Sequence, residues 1–421
     1  MEKNAILARS FSRSERLMLG YGAFIGSLMI LEKKKEDKLV CNLMEPRSDF
    51  CEMNGDIRIH GNSSTIFVAA PQVDVMARNE SWRIKPYARK VDWYAMRSVT
   101  EFSVKSLAAH DSEAPKCTTN HNVPAVVFSV AGYSYNYFHT FGDILVPLFI
   151  TSYQFQGEVQ FLVTNSNSSW ISKYQEILQK LSRYEIINID SDNSIHCFPS
   201  MIVGLKQHEE FQIDPSKSPN GYSMKDFRKL LRRTYSLKRA NAIRIQNHQH
   251  KKPRLLIVSR KQTRLFTNKE EIVELATSLG YEVIVAEPDA MNVTRIVRIA
   301  NSCDVMMGIH GAGLTNLVFL PKNAVLIQIV PLGGLKYWCD LYFGRPVLDM
   351  DIRYLEYNIR EEESTLIEQY PLDHAVFKDP SSFYKQGWVA LKAVYLDKQD
   401  VKLDVRRFRS TLLEALDLLR R

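Results

Sequence analysis

Several signatures that would settle the class of this chain early are missing from it. No two of its six cysteines (Cys41, Cys51, Cys117, Cys197, Cys303, Cys339) stand at C-x-x-C spacing, which argues against zinc ribbons and thioredoxin-like redox chemistry. There is no G-x-G-x-x-G fingerprint and no Walker lysine after its glycines, so NAD(P) binding and ATP hydrolysis are disfavoured. No RNA-binding or zinc-finger signature accompanies its basic residues, so nucleic acid is not an expected partner. That holds despite a formal charge of +8 and a pI near 9.0. The apolar run Leu17–Leu31 holds 15 uncharged residues, whereas a spanning helix wants about 20.

What is present points to a large globular chain. At 421 residues with 45% hydrophobic content, it can bury a sizeable core and exceeds the usual single-domain length. The basic excess gathers at Lys33–Lys35, along Arg228–Arg239 and at the C-terminus, and reads as solvated helix faces. Leu17–Leu31 follows Arg9, Arg13 and Arg16 and precedes Glu32 and three lysines, where a signal peptide would show a small-residue cleavage site. We therefore expect a cytoplasmic tail over 1–16, a short signal-anchor over 17–31 and a stem over 32–48. The sequons at Asn62, Asn79, Asn167 and Asn292 fit the secretory route and N-glycosylation. Cys41–Cys51 is the simplest disulfide because its loop is short.

From residue 49 to about 240, short β-rich runs (Thr65–Ala69, Ala125–Val130, Val159–Val163, Met201–Leu205) alternate with helical periodicity over Tyr135–Tyr153, Ser169–Leu181 and Ser223–Leu237. The polar stretch Ala240–Pro253 predicts a linker. Beyond it strands at Leu255–Val258, Glu282–Ala286, Asp304–Ile309 and Ala324–Val330 alternate with helices, one opened by a Thr267-x-x-Glu270 capping box. That order builds a parallel, Rossmann-like α/β sheet. The last helix is expected over Val401–Leu419.

In such sheets ligands bind beyond the carboxyl ends of the strands. Ser259 and Arg260, with Arg264, follow the first strand; Glu287 follows the second; His310, Gly311, Ala312, Gly313, Leu314, Thr315 and Asn316 follow the third. Glycines let backbone approach a ligand, and a helix N-terminus presents free N–H groups to phosphate. Arginines add charge-assisted bonds, and Glu287 suits ribose hydroxyls. Together they predict a nucleotide diphosphate site. Two D-x-D triplets, Asp190–Asp192 and Asp349–Asp351, lie outside these motifs, and no metal site is assigned to them. In the first half, Asn136, His139 and Asp143 fall at i, i+3 and i+7 beside Tyr133 and Tyr137. This reads as one helix face suited to a sugar, with Tyr133, Asn136 and Tyr137 binding an acceptor and His139 or Asp143 as general base. A buried structural histidine is the competing reading of that stretch.

The pairing of Y-N-Y-F-H-T-F-G-D (Tyr135–Asp143) with S-R-K-x-x-R (Ser259–Arg264) and G-x-H-G-A-G-L-T-N (Gly308–Asn316) resembles plant glycosyltransferase family 61, in its xylan-modifying branch. The segments Tyr337–Phe343, Tyr354–Ser364 and Tyr395–Leu412 are similar as well. The resemblance implies a GT-B fold, two Rossmann-like domains (49–240 and 254–390) facing across a cleft, with 395–421 returning to the first. It also implies a type II Golgi membrane protein with a lumenal catalytic domain. The reaction would be inverting and free of metal and cofactor, moving a pentose from UDP-arabinofuranose or UDP-xylose onto xylan. α-1,3-Arabinofuranosyl transfer is the first expectation and β-1,2-xylosyl transfer the second. A non-catalytic nucleotide- or sugar-binding protein on the same fold is the rival of another class.

Overall fold

The burial pattern along the strands explains the architecture. β1 (Lys38–Asn42), β2 (Phe50–His60), β3 (Thr65–Ala69), β4 (Ser81–Ile84), β5 (Phe102–Leu107), β6 (Thr119–Asn120), β7 (Ala125–Ser129), β8 (Gln160–Thr164), β9 (Ile187–Asn188) and β10 (Ile195–Val203) form one sheet. Its order is β4-β5-β3-β2-β10-β7-β8-β9, with β1 on β2 and β6 on β10. This is a computed structural model that describes residues 38–69, 81–107, 114–246, 251–288 and 293–421. The tail 1–16, the anchor 17–31 and the sequons Asn79 and Asn292 lie outside those residues. Among the described residues no helix is long and apolar enough to cross a membrane.

β7 and β8 are buried on both faces and run parallel, as a run such as Ala-Val-Val-Phe requires. β2 alternates buried and half-buried residues and pairs antiparallel with β1, β3 and β10. The first sheet is therefore mixed, and its Rossmann-like character is confined to β7–β10. β1 falls inside the predicted stem: Cys41 faces Cys51 across the β1–β2 pair and is bonded to it. A second disulfide joins Cys117 to Cys197, a pairing that spacing alone does not give; Cys303 and Cys339 are free and buried.

The second sheet, β11 (Arg254–Val258), β12 (Glu282–Ala286), β13 (Val305–Ile309), β14 (Val325–Val330) and β15 (Arg353–Asn358), is parallel throughout in the order β12-β11-β13-β14-β15. The capping box is displaced: Asn268 precedes the helix Lys269–Ser278, and Thr267 donates its backbone N–H to Val401. The final helix, Val405–Arg420, does not return to the first sheet. Its apolar face (Phe408, Leu412, Ala415, Leu416, Leu419) packs on Leu255, Ile257, Ile272 and Tyr281 of the second half, and Tyr281 Oη donates to the Leu412 carbonyl at 2.8 Å.

One buried cluster spans both halves, beside others confined to the first and to the second. Phe141 of the first half meets Phe319 of the second edge-on at 5.9 Å, inside a cluster that also holds Phe149, Phe227, Leu256 and Leu326. Each fully buried phenylalanine there contributes about 1.5–3 kcal/mol of transfer free energy. Arg228 overturns the reading of its basic cluster as a solvated face. Its guanidinium is buried and donates to the carbonyls of Val318 and Leu320, clamping the chain just after the glycine loop.

Candidate functional site

The loop after β13 is shaped by Gly311, which has φ +154° and leads into the 3-10 turn Ala312–Phe319. A Cβ on Gly311 would lie 2.7 Å from Arg260 Nη1 and 2.9 Å from Arg264 Nη1, so only glycine admits both guanidiniums here. Arg260 Nε donates to the Thr263 carbonyl at 2.7 Å, and Arg264 Nη1 donates to the His310 carbonyl at 2.7 Å. Arg264 also holds a left-handed backbone, φ +55°, a conformation that non-glycine residues adopt at a cost of about 1–3 kcal/mol. Burial, then the Arg260 charge, pushes the Arg264 pKa down to about 9, and burial lowers that of Arg260. Among the described residues neither meets a carboxylate within ion-pair distance. Two adjacent cations without an acid partner suit an anion.

A cleft of about 880 Å³ opens beside them, lined by Ser259, Arg260, Lys261, Glu287, Ala312 and Gly313 among others. These include five of the predicted nucleotide residues. The structure also puts Lys269 and Arg295 on its wall, and Tyr137 from the first half. Glu287 sits at the mouth, paired with Lys261 at 2.7 Å. The rest of the glycine motif does not reach the cleft. Leu314, Thr315 and Asn316 are fully buried, because the 3-10 turn points them into the core and leaves Ala312 and Gly313 lining the cleft. His310 is also buried: its Nδ1 accepts from Gln328 Nε2 at 2.7 Å, and Gln328 Oε1 accepts from Tyr354 at 2.8 Å. Burial, then Arg264 and Arg260, pushes its pKa down to about 3, so the ring is neutral.

The first half brings a second constellation. The helix predicted from Tyr135 begins at Tyr137: the Asn136 amide oxygen accepts from the backbone N–H groups of Phe138 and His139 and caps it. Asn136 and Tyr133 thus precede the helix and share no face with Asp143. Thr140–Leu145 are π-helical before the α-helix resumes over Val146–Ser152; such bulges frequently mark functional sites. Across this bulge His139 Nδ1 lies 3.0 Å from Asp143 Oδ2.

Asp143 is fully buried and saturated, with Tyr87 Oη donating to Oδ2 at 3.0 Å and Arg89 Nη1 to Oδ1 at 3.1 Å. Burial alone would raise its pKa, but Arg89, His139 and Tyr87 together hold it below the usual carboxylate value. An ionised Asp143 accepts a hydrogen bond from His139 Nδ1–H and so leaves Nε2 as the proton acceptor. The pair thus has the geometry of an oriented base, and only His139 is partly exposed, at 18%. Tyr133 stacks near the imidazole at 4.8 Å. Tyr87 and Arg89 were invisible in sequence; only Gly132, whose φ is +61° and whose Cβ would strike the Tyr87 ring at 2.5 Å, hinted at a close approach.

The two constellations are tied together. Tyr137 Oη donates to Asn316 Oδ1 at 3.1 Å, so Tyr137 braces the glycine loop and lines the cleft. Phe138 packs against Tyr342 and Phe343, and both of these rings meet His310. The D-x-D carboxylates are engaged by protein groups. Asp190 accepts from Thr164 and Asn165, Asp192 pairs with His196, Asp349 accepts from Gln212, and Asp351 pairs with Lys225 and Lys322. Asp56, Cys117 and Cys197 come together, but both sulfurs are in a disulfide.

Comparison with known proteins matches the family described as Glycosyltransferase 61 over residues 137–327, which include the His139 helix and the glycine loop. An alpha-1,3-arabinosyltransferase of Oryza sativa subsp. japonica is 48% identical over 91% of this chain, which covers 66% of that relative's length. A beta-1,2-xylosyltransferase of the same organism is 46% identical, with 91% of this chain and 85% of the relative covered. A xylan glycosyltransferase of Arabidopsis thaliana is 36% identical, with 91% and 80% covered. The chain thus spans about two thirds of the length of the arabinosyltransferase it matches.

Proposed function

The chain belongs to glycosyltransferase family 61, and from that membership we propose that it transfers a pentose from a UDP-sugar to the xylan backbone with inversion. α-1,3-Arabinofuranosyl transfer is the first reading. The observation that carries the proposal is the pair of guanidiniums around Gly311, without an acid partner among the described residues, with Arg260 lining a cleft that is also lined by Tyr137, two residues before the oriented His139. In the reaction, His139 Nε2 takes the proton of a xylose hydroxyl and that oxygen bonds to the anomeric carbon. The bond from that carbon to the β-phosphate oxygen breaks, and the electron pair leaves with UDP. Arg260, Arg264 and the N–H groups of Ala312 and Gly313 neutralise the departing charge. His310 supports the loop, and Glu287 stands at the ribose end.

β-1,2-Xylosyl transfer from UDP-xylose is the second reading, favoured by the xylosyltransferase relative whose length this chain covers best among the rice relatives named above. We further read the two halves as a GT-B arrangement, without metal or cofactor. We place the chain in the Golgi lumen behind an N-terminal anchor, a compartment with which two disulfides agree. The purified protein would be given UDP-arabinofuranose or UDP-xylose with xylo-oligosaccharides, and the product linkage identified. Arg264→Ala should sharply lower transfer, and near-normal turnover would refute the site. UDP binding with no transfer from any donor would favour the non-catalytic rival.

A further inference from the structure

Another cleft, of about 720 Å³, is lined by Tyr135, Trp170, Lys173, Tyr174 and Tyr235 among others. The two clefts divide consecutive residues of one helix between them, Val293 and Thr294 facing the second, Arg295 and Ile296 the first. Lys173 spans the divide, its Nζ 5.4 Å from the Tyr137 ring and 5.2 Å from the Tyr174 ring. Their chemistry differs. The first is strongly cationic. The second is lined by hydroxyls (Ser134, Ser168, Ser169, Ser172) and by aromatic rings, with a single lysine and a single glutamate. Neutral polar groups beside aromatic faces fit an uncharged polyhydroxylated chain and offer little to a phosphate or an acidic peptide.

Three observations mark this cleft as a built site. Tyr235 lines it at 6% exposure, and its hydroxyl has no hydrogen-bond partner among the described residues; a buried hydroxyl left in that state costs stability unless a ligand satisfies it. Tyr135, at 83% exposure, presents an open ring at the rim. The cleft is also coupled to the proposed base: Trp170 Nε1 donates to Thr140 Oγ1 at 3.2 Å, one residue after His139. Tyr135 meets Tyr133, which meets the His139 ring.

We propose that this cleft is the subsite for xylose units of the acceptor chain flanking the one that reacts, with Tyr135 stacking on a sugar ring and the Tyr235 hydroxyl bonding a sugar hydroxyl. The assignment rests on the xylan-transfer reading for the identity of the sugar. It also requires Asn167, at the rim and capping the helix Ser168–Leu181 through its amide oxygen, to stay unmodified in the active protein.

The test compares wild type, Tyr135→Ala and Tyr235→Phe in full-length protein. The second variant removes only an unpartnered hydroxyl, so folding is kept. The ratio of kcat/KM on xylohexaose to that on xylobiose should fall about 3- to 10-fold in each, the equivalent of one hydrogen bond or stacking contact, with UDP affinity unchanged. Xylohexaose binding without donor, followed by tryptophan fluorescence, should weaken by the same factor. An unchanged ratio in both variants, or a glycan on Asn167 of active enzyme, overturns the proposal. If wild type binds xylohexaose and both variants weaken it while no pentose is transferred, the subsite stands and the transfer reading falls.

Discussion

Arg260→Met separates a nucleotide site from a structural arginine. Arg260 lines the large cleft, lies against Arg264 across Gly311, and has its pKa lowered by burial. In the ligand-free protein its removal loses the Nε bond to the Thr263 carbonyl, about 1 kcal/mol. It also relieves the repulsion that Arg264 registers from Arg260, an opposing change of about the same size for partly exposed charges. The melting temperature of the free protein should therefore move by no more than about 2 °C. The bound state is different, because a charge-assisted bond to the diphosphate contributes about 1.5–3 kcal/mol, or roughly 10- to 150-fold in UDP affinity. UDP at about 100 times the wild-type Kd stabilises the wild type by about 2.7 kcal/mol; after a 100-fold loss the same concentration stabilises by only about 0.4 kcal/mol. A thermal-shift titration reads both quantities in one plate. A variant that melts well below wild type yet keeps its full UDP-induced shift would show that Arg260 holds the loop and binds nothing.

His139→Gln should lower kcat by about 10²- to 10⁴-fold and leave UDP affinity unchanged, and retained turnover in a folded variant would remove His139 as base. Arg264→Asn tolerates the left-handed backbone at φ +55° and should melt within about 2 °C of wild type while its transfer rate collapses; a normal rate counts against the anion site. Serines at Cys117 and Cys197 open a loop of 80 residues, a loss of about 4.5 kcal/mol by chain entropy, seen as an earlier thermal transition; an unchanged transition would refute this. His310 has its pKa pushed down to about 3 in the fold, whereas the unfolded chain protonates near 6.5. The unfolded state therefore binds the extra proton between those values. The stability is fully present above about pH 6.5 and falls as pH drops, by up to about 1.4 kcal/mol per unit; His310→Asn should flatten that slope in urea titrations at stepped pH.

What was legible in the sequence and what was not divides along one physical line. The second half could be read closely because its central strands are buried and alternate with helices, so hydrophobic runs mark β11, β13 and β14 to within a residue. Its glycines announce a backbone approach whose cause, two guanidiniums, stands at the end of the neighbouring strand β11. The His139 helix could not be read that way. Its spacing suggested one face, but Asn136 competes for the backbone as a cap and the π-helical turn resets the register. The groups that decide the roles of His139 and Asp143 are Tyr87 and Arg89, more than fifty residues upstream and joined only by the fold. The motif residues Leu314, Thr315 and Asn316 show the converse. They looked like ligand contacts because they adjoin the glycines, yet they are core residues whose burial aims the backbone of Ala312 and Gly313 at the cleft. A motif string therefore locates a cleft while misassigning which of its residues line it. In this chain the cleft is lined by the backbone of Ala312 and Gly313, by Arg260 from another strand end, and by Tyr137 from the opposite half. Tyr137 bonds Asn316 and lines the same cleft, so a change at Asn316 should act on the site through Tyr137 and the loop backbone rather than through a lost ligand contact.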